Sequence, residues 1–278
     1  MHEKVIVPLD GSPLAEVALP YAEEVAGKMG SNVILFTVLP SEDAEEQQSH
    51  ETYITKMVNV TKRHMAKYRE KSKSAEIRVG TATRIGNPAE GILDYAHAAH
   101  PCLIVMATHG RSGIGRWAVG SVADKVVRST MRQPLLLIRA KGSHSDIRAK
   151  RILKKVLVPL DGSKESEAVL PYISDVASQL QMEIVLLRVL PKMNNTYATT
   201  ETYLQELCNQ LTENGISAGY VIRIGAAADQ IIDLADEIAS DMVAMTTHGQ
   251  TAVNIWTLGS VAQKVLLGGN TPLLLIKT

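Results

Sequence analysis

The sequence predicts an α/β fold: two tandem, doubly wound, Rossmann-like domains, each with a five-stranded parallel sheet. Three observations carry this expectation. Short β-branched apolar runs alternate with segments of helical spacing. The runs lack an in/out alternation, as strands covered on both faces do. The whole series also occurs twice, with a period near half the 278 residues, which marks duplicated domains rather than a solenoid of short repeats.

In the first copy, KVIVPL at 4–9 is a buried strand and Asp10-Gly11-Ser12-Pro13 the turn after it. LAEVALPYAEEVAGKMG has helical spacing, places Pro20 at a kink or early turn and ends at Gly30. NVILFTVL at 32–39 is the second strand, and SEDAEEQQSHE at 41–51 is an acidic loop. The segment from Thr52 is an amphipathic helix, its apolar side built from Ile54, Met57, Val58, Val60, Met65 and Tyr68. IRVGTATRIG at 77–86 holds the third strand, and Pro88 helps start the next helix. CLIVMA at 102–107 is the fourth strand, GSVADKVVRST at 120–130 a helix, and PLLLIRA at 134–140 the fifth strand. The second copy repeats the strands at 155–160, 183–190, 217–223, 241–246 and 272–277.

The repeat has a measurable flaw. Asp10 and Asp161, Pro20 and Pro171, and Pro40 and Pro191 are each 151 residues apart. Gly86 and Gly225, like Gly110 and Gly249, are 139 apart. The second copy has therefore lost 12 residues between 191 and 225. The boundary falls in the polar stretch RAKGSHSDIRAKR, so that a first domain spans 1–140, a linker 141–153 and a second domain 154–278. Its basic residues read as a solvated linker rather than a nucleic-acid arm.

Composition narrows the classes of partner. Lys plus Arg and Asp plus Glu are both 29, so the net charge is zero and the generic electrostatic case for nucleic acid or an anionic membrane falls away. Aromatic residues are 4%, too few for base-stacking platforms. The two cysteines, Cys102 and Cys208, fall in apolar patterns of different copies and read as buried thiols. No stretch approaches the length of a membrane helix and the N-terminus lacks a signal-peptide core, so the expectation is a cytoplasmic protein.

The chemistry concentrates in residues 103–123. An apolar run ends at Met106 and Ala107, and Thr108, His109 and Gly110 follow. A glycine-containing loop then leads to Gly120-Ser121-Val122 at a helix start. Small residues before helix N–H groups make an anion seat, with phosphate as the expected occupant. Ser121 adds a hydroxyl, and Arg111 and Arg116 offset charge. The bland reading is a surface loop closed by a capping serine. His109 and His248 read as structural or ligand contacts rather than catalytic bases, and Trp117 and Trp256 as packed loop anchors. Asp10 ends strand one, where a carboxylate can take ribose hydroxyls, hold a metal, accept a phosphoryl group or simply cap the turn. There is no GxxxxGK[ST], no GxGxxG after a strand, no metal-spaced Cys/His cluster and no GxSxG. No catalytic residue and no protein-held metal are assigned.

These residues resemble the universal stress protein family. The carriers are VPLDGS at 7–12 and 158–163, the TVLP and RVLP strand ends, RIGNPAEGI at 84–92, MATHGRSG and MTTHGQTA, and GSVADKVV and GSVAQKVL. The ATP-binding branch carries G-x2-G-x9-G-[ST]. This chain has Ala107 and Thr246 at the first glycine, then Gly110, Gly120 and Ser121, and Gly249, Gly259 and Ser260.

The resemblance implies a strand order of 3-2-1-4-5 and ATP as ligand, with a divalent metal such as Mg accompanying the phosphates. It puts adenine near Val38 and between Pro8, Leu9 and Asp10, and the ribose on Asp10. Met106, Ala107, His109 and Gly110 line ribose and phosphates, and Gly120, Ser121 and Val122 bind phosphate oxygens. The matching set is Pro159, Asp161, Val189, Met245, Thr246, His248, Gly249, Gly259, Ser260 and Val261. It also implies that the two domains pair within the chain through their fifth strands, as two subunits of a homodimer do in single-domain members. The expected function is a nucleotide-dependent switch or sensor in stress response. A weak ATPase or autophosphorylating enzyme and a non-nucleotide interaction module are the alternatives. The first copy keeps more of its small and basic lining, so occupancy is expected there first.

Overall fold

A computed structural model of the chain describes residues 2–41, 43–69, 77–110, 119–129, 133–139, 151–192, 196–248 and 258–277. The chain divides into two compact units, Met1–Ala140 and Lys141–Thr278. Most of the expected linker lies outside the described residues. Ile152 and Leu153, which that linker includes, are buried. The apolar core of the second unit therefore begins before its first strand.

The first unit runs β1 (Lys4–Pro8), α1 (Pro13–Glu16), α2 (Leu19–Met29), β2 (Asn32–Leu39), α3 (Ala44–Arg69), β3 (Val79–Ile85), α4 (Pro88–Ala98), β4 (Cys102–Ala107), α5 (Ser121–Ser129) and β5 (Leu135–Ile138). Its strands are parallel and ordered β3-β2-β1-β4-β5. Val5, Ile6 and Val7 are fully buried, as is all of β4. That is why these strands read as unbroken apolar runs. Complete burial of such a side chain is worth about 1.5–3 kcal/mol.

The helix expected from Leu14 is two helices. Ser12 caps α1, accepting from the Ala15 N–H at 3.2 Å. Pro20 then sits in the first turn of α2, where its missing N–H costs no bond. Gly30 closes α2 with φ 71°. Asn87 caps α4 through the Ala89 and Glu90 N–H groups.

The expected acidic loop 41–51 is overturned. From Ala44 onward it is the start of α3, 26 residues long. Glu, Gln and Ala are strong helix formers, and the Asp43 carboxylate accepts the Glu45 N–H at 3.0 Å. These turns are largely exposed, so no apolar stripe betrays them. α3 is held further along against α2. Glu23 is buried, with both carboxylate oxygens 3.1–3.2 Å from His64 Nδ1. Burial pushes the Glu23 carboxyl above its usual range, while the facing His64 and Lys67 act the other way.

The second unit repeats the plan with β6 (Lys155–Pro159), α6 (Lys164–Glu167), α7 (Val169–Leu180), β7 (Glu183–Leu190) and α8 (Tyr197–Glu213). β8 (Ala218–Ile224), α9 (Ala227–Glu237), β9 (Met242–Thr246), α10 (Ser260–Gly268) and β10 (Leu273–Ile276) complete it. Its order is β8-β7-β6-β9-β10. α8 is 17 residues against 26 for α3, which accounts for most of the length lost between the copies. Cys102 and Cys208 are buried free thiols, and burial pushes Cys102 up to about 11. No helix of the described residues is long and apolar enough to cross a membrane.

At Gly27 α2 lies against Tyr68 of α3, where an added Cβ would collide with the ring. Gly27→Ala gains about 0.8–1 kcal/mol of helix propensity but incurs about 1–3 kcal/mol of overpacking. The expected result is a net loss of stability in urea unfolding.

Candidate nucleotide site

In the first unit the chain reverses direction across the sheet between β1 and β4. Open parallel sheets bind ligands at the carboxyl ends of strands at such a point. Asp10 and Gly110 leave those two strands side by side. A Cβ on Gly110 would collide with the Asp10 carboxylate. Glycine is required here by close approach, not by an unusual φ.

Asp10 is built into its turn. Its Oδ1 accepts the Ser12 N–H at 2.9 Å and the Ser12 hydroxyl at 2.6 Å. Ser12 in turn caps α1, so the β1–α1 corner and the carboxylate are one hydrogen-bonded unit. Capping the turn and facing a ligand are thus compatible roles for Asp10. Asp161 and Ser163 repeat the arrangement: the Ser163 N–H donates to Asp161 Oδ1 at 3.0 Å, and the Ser163 hydroxyl donates to the same oxygen.

On the other side of the crevice, Thr108 O accepts the Gly120 N–H at 2.8 Å. A Cβ on Gly120 would come within 3.1 Å of that carbonyl. The first intrahelical bond of α5 runs from Asp124 to Gly120 O, so the N–H groups of Ser121, Val122 and Ala123 begin the helix without helical partners. All three residues line the cavity. His109 is 6% exposed. Its Nδ1 lies 3.0 Å from Thr108 Oγ1, and its Nε2 is buried with no hydrogen-bond partner among the described residues.

These groups enclose a cavity of about 380 Å³, inside the ~300–1,000 Å³ typical of small-molecule clefts. Pro8, Leu9, Asp10, Val38, Met106, Ala107, His109, Gly110, Gly120, Ser121 and Val122 all line it. Of the residues expected in the first site only Arg111 does not, because it lies outside the described residues, as do Arg116 and Trp117. The structure adds residues that sequence reasoning missed. Thr37 points into the cavity from β2, and His50 reaches it from the first turns of α3, its Nε2 2.8 Å from Thr37 Oγ1. Only the helix-forming composition after Asp43 could have signalled His50.

The second unit has the equivalent cavity, but at about 120 Å³. Pro159, Asp161, Val189, Met245, Thr246, His248, Gly259, Ser260 and Val261 line it. Gly249 and Trp256 lie outside the described residues. His248 repeats His109, with Nδ1 3.0 Å from Thr247 Oγ1 and a buried, unpartnered Nε2 among the described residues. Thr246, standing where the first unit has Ala107, donates its hydroxyl to His248 O at 2.6 Å.

The model of the universal stress protein family matches residues 1–139 and 153–277. The chain belongs to the universal stress protein family. Universal stress protein MJ0577 of Methanocaldococcus jannaschii is 26% identical over 153 residues, covering 45% of this chain and 94% of that protein. A solved universal stress protein from Archaeoglobus fulgidus covers 99% of this chain and 96% of its own at a TM-score of 0.73 and 18% identity, which shows a shared fold. Another from the same organism, solved in complex with dAMP, matches 45% of this chain and 98% of its own at 20% identity and a TM-score of 0.38.

Ser12→Ala and Ser163→Ala each remove a helix cap and an Asp partner together. Each is expected to cost about 0.5–2 kcal/mol, read by thermal unfolding without added ligand. An unchanged melting temperature in both would show that these turns do not order the two aspartates.

Proposed function

We propose that the first half of this universal stress protein binds an adenine nucleotide, ATP, and acts as a nucleotide-dependent switch or sensor. The observation that carries the reading is the buried His109 Nε2, unpartnered among the described residues, together with the N–H groups at the start of α5 that lack helical partners, on residues lining one cavity of about 380 Å³. Burying a polar atom without a partner costs about 1–3 kcal/mol, and a ligand oxygen would satisfy it.

Strand spacing orders the ligand. Neighbouring strands lie about 4.8 Å apart, so β2 and β4, on either side of β1, are about 10 Å apart. The base lies on the β2 side, against Val38. The ribose hydroxyls donate to Asp10 in the turn just after β1. The phosphates sit on the Ser121 and Val122 N–H groups beyond β4, where the helix dipole favours negative charge. Gly110 and Gly120 let the ligand approach backbone. Asp10 is the one carboxylate among the described lining residues. A divalent metal such as Mg would arrive with the phosphates and supply charge neutralisation there.

A switch fits the lining better than an enzyme does. Asp10 is committed to its turn and to ribose, and Ser121, the serine lining the same cavity as His109, is taken by the phosphates in this reading. The buried free thiols suit a reducing cytoplasm. A net charge of zero gives no generic electrostatic case for nucleic acid as partner.

The test is nucleotide release and stoichiometry. Heat-denatured, freshly purified protein should yield adenine nucleotide by mass spectrometry. ATP should titrate the nucleotide-free chain, and Gly120→Val should weaken it at least tenfold by filling the seat. Absence of both bound and titrable adenine nucleotide would overturn the reading. Steady ADP release that Asp10→Ala abolishes would replace the switch by an ATPase.

A further inference from the structure

The two cavities differ in a localised way. Every described residue lining the smaller one has a counterpart lining the larger. The larger cavity has an additional chamber bounded by Thr37, Leu39, Pro40, His50 and Gly86. None of the second-unit positions matching Thr37, Leu39, Pro40 and Gly86 lines the smaller cavity, and no described residue of α8 does. The chamber lies on the β2 side, where the first half takes its base. Two differences accompany its absence: α8 is shorter than α3, and the residue matching Thr37 is Arg188. Pro159 pairs with Leu187 as Pro8 pairs with Phe36, which fixes that equivalence. Arg188 folds back over the β6–α6 turn. Its Nη1 donates to Leu160 O at 3.2 Å, and its guanidinium lies 3.6 Å from where a Cβ on Gly162 would stand.

The rest of the second cavity is intact. α10 is a nine-residue helix with Gly259 at its N-cap and no side-chain cap, and its first intrahelical bond runs from Gln263 to Gly259 O. The N–H groups of Ser260, Val261 and Ala262 therefore begin the helix without helical partners. His248 is 8% exposed and lines the same space, its buried Nε2 unpartnered among the described residues. Asp161 stands at the other end.

We infer that the second half is a site for a small phosphate ester with a hydroxylated tail and no heterocycle, a ligand of the pentose phosphate class. The phosphate sits on the start of α10 and takes a hydrogen bond from His248 Nε2. The hydroxyls donate to the Asp161 carboxylate. A cavity of about 120 Å³ is about a third of the 380 Å³ that the first half offers a whole nucleotide, and no chamber receives a base. The inference rests on the reading of these helix starts as phosphate seats, and it gives the two halves different ligands.

Ribose 5-phosphate is the probe, titrated calorimetrically into the full chain held at saturating ATP. One further equivalent should bind. His248→Leu and Gly259→Ala should each weaken it at least tenfold; a Cβ on Gly259 would come within 2.8 Å of Thr247 O. His248→Leu keeps the cavity filled, and its thermal melt checks that it folds. Arg188→Thr should raise ATP uptake from one equivalent towards two. The inference is overturned if wild type takes two equivalents of ATP or if ribose 5-phosphate only displaces ATP. It is also overturned if His248→Leu binds as wild type does, or if inorganic phosphate binds the second half as tightly as ribose 5-phosphate. If ATP fails to bind while ribose 5-phosphate still binds with dependence on His248, the inference stands and the ATP reading falls.

Discussion

The close approach of β1 and β4 at their carboxyl ends is the constraint on which the first site depends. The strands pair in parallel over Lys4–Ile6 and Cys102–Ile104, and the segments leaving them have no room to spare. Gly110 lies against the Asp10 carboxylate so tightly that no side chain fits. Asp10 is fixed from the other direction by Ser12, which starts α1. Thr108 O, just before Gly110, receives the Gly120 N–H and so fixes where α5 begins. One backbone crossing thereby places a carboxylate, an imidazole and a helix start around a single crevice. Each of those groups also does structural work, which is why the same residue types read equally well as turn formers and as binding groups.

The duplication separates frame from lining. The Asp-Gly-Ser turn, the Thr-His pair and the Gly-Ser-Val helix start recur with the same hydrogen bonds in both units. These bonds hold the crevice open whatever occupies it. The differences fall at Ala107 and Thr246, at Thr37 and Arg188, and in the helix that follows the second strand. All of them change the space beside the frame and none of them breaks it. A threefold change in cavity volume, from about 380 to about 120 Å³, therefore needs no change of fold.

The strands and the turns beside the cavity were legible in the sequence because each has a strong local cause, whereas the strand order came from the resemblance to the family. Buried parallel strands must be apolar on both faces, turns before helices need Asp, Gly and Ser, and a repeat shows both twice. Two features that shape the cavities were not legible. The first turns of α3 are exposed, so they carry no apolar periodicity, and their helical state rests on propensity and on Asp43. His50 was hidden with them. Arg188 sits in an apolar strand and its position looks incidental until its guanidinium is seen to return to Leu160. Thr246 was legible as a bulkier residue than Ala107, but not as a donor to His248 O. In each case the decisive fact is a contact between residues distant in sequence, or a side-chain direction, and neither is encoded in local pattern.

The two buried histidines give the frame an energetic asymmetry between empty and filled states. His109 cannot readily turn to find a partner, because Nδ1 is already held 3.0 Å from Thr108 Oγ1 and the ring is buried. Among the described residues its Nε2 has no partner, at a cost of about 1–3 kcal/mol. A ligand present at a hundred times its dissociation constant stabilises the state it binds by about 2.7 kcal/mol, which is the same order. Under the proposed reading, a bound ligand would offset a penalty of this size. The Thr108–Gly110 segment also fixes the start of α5 through Thr108 O. A ligand seated there as proposed would bear on where that helix begins.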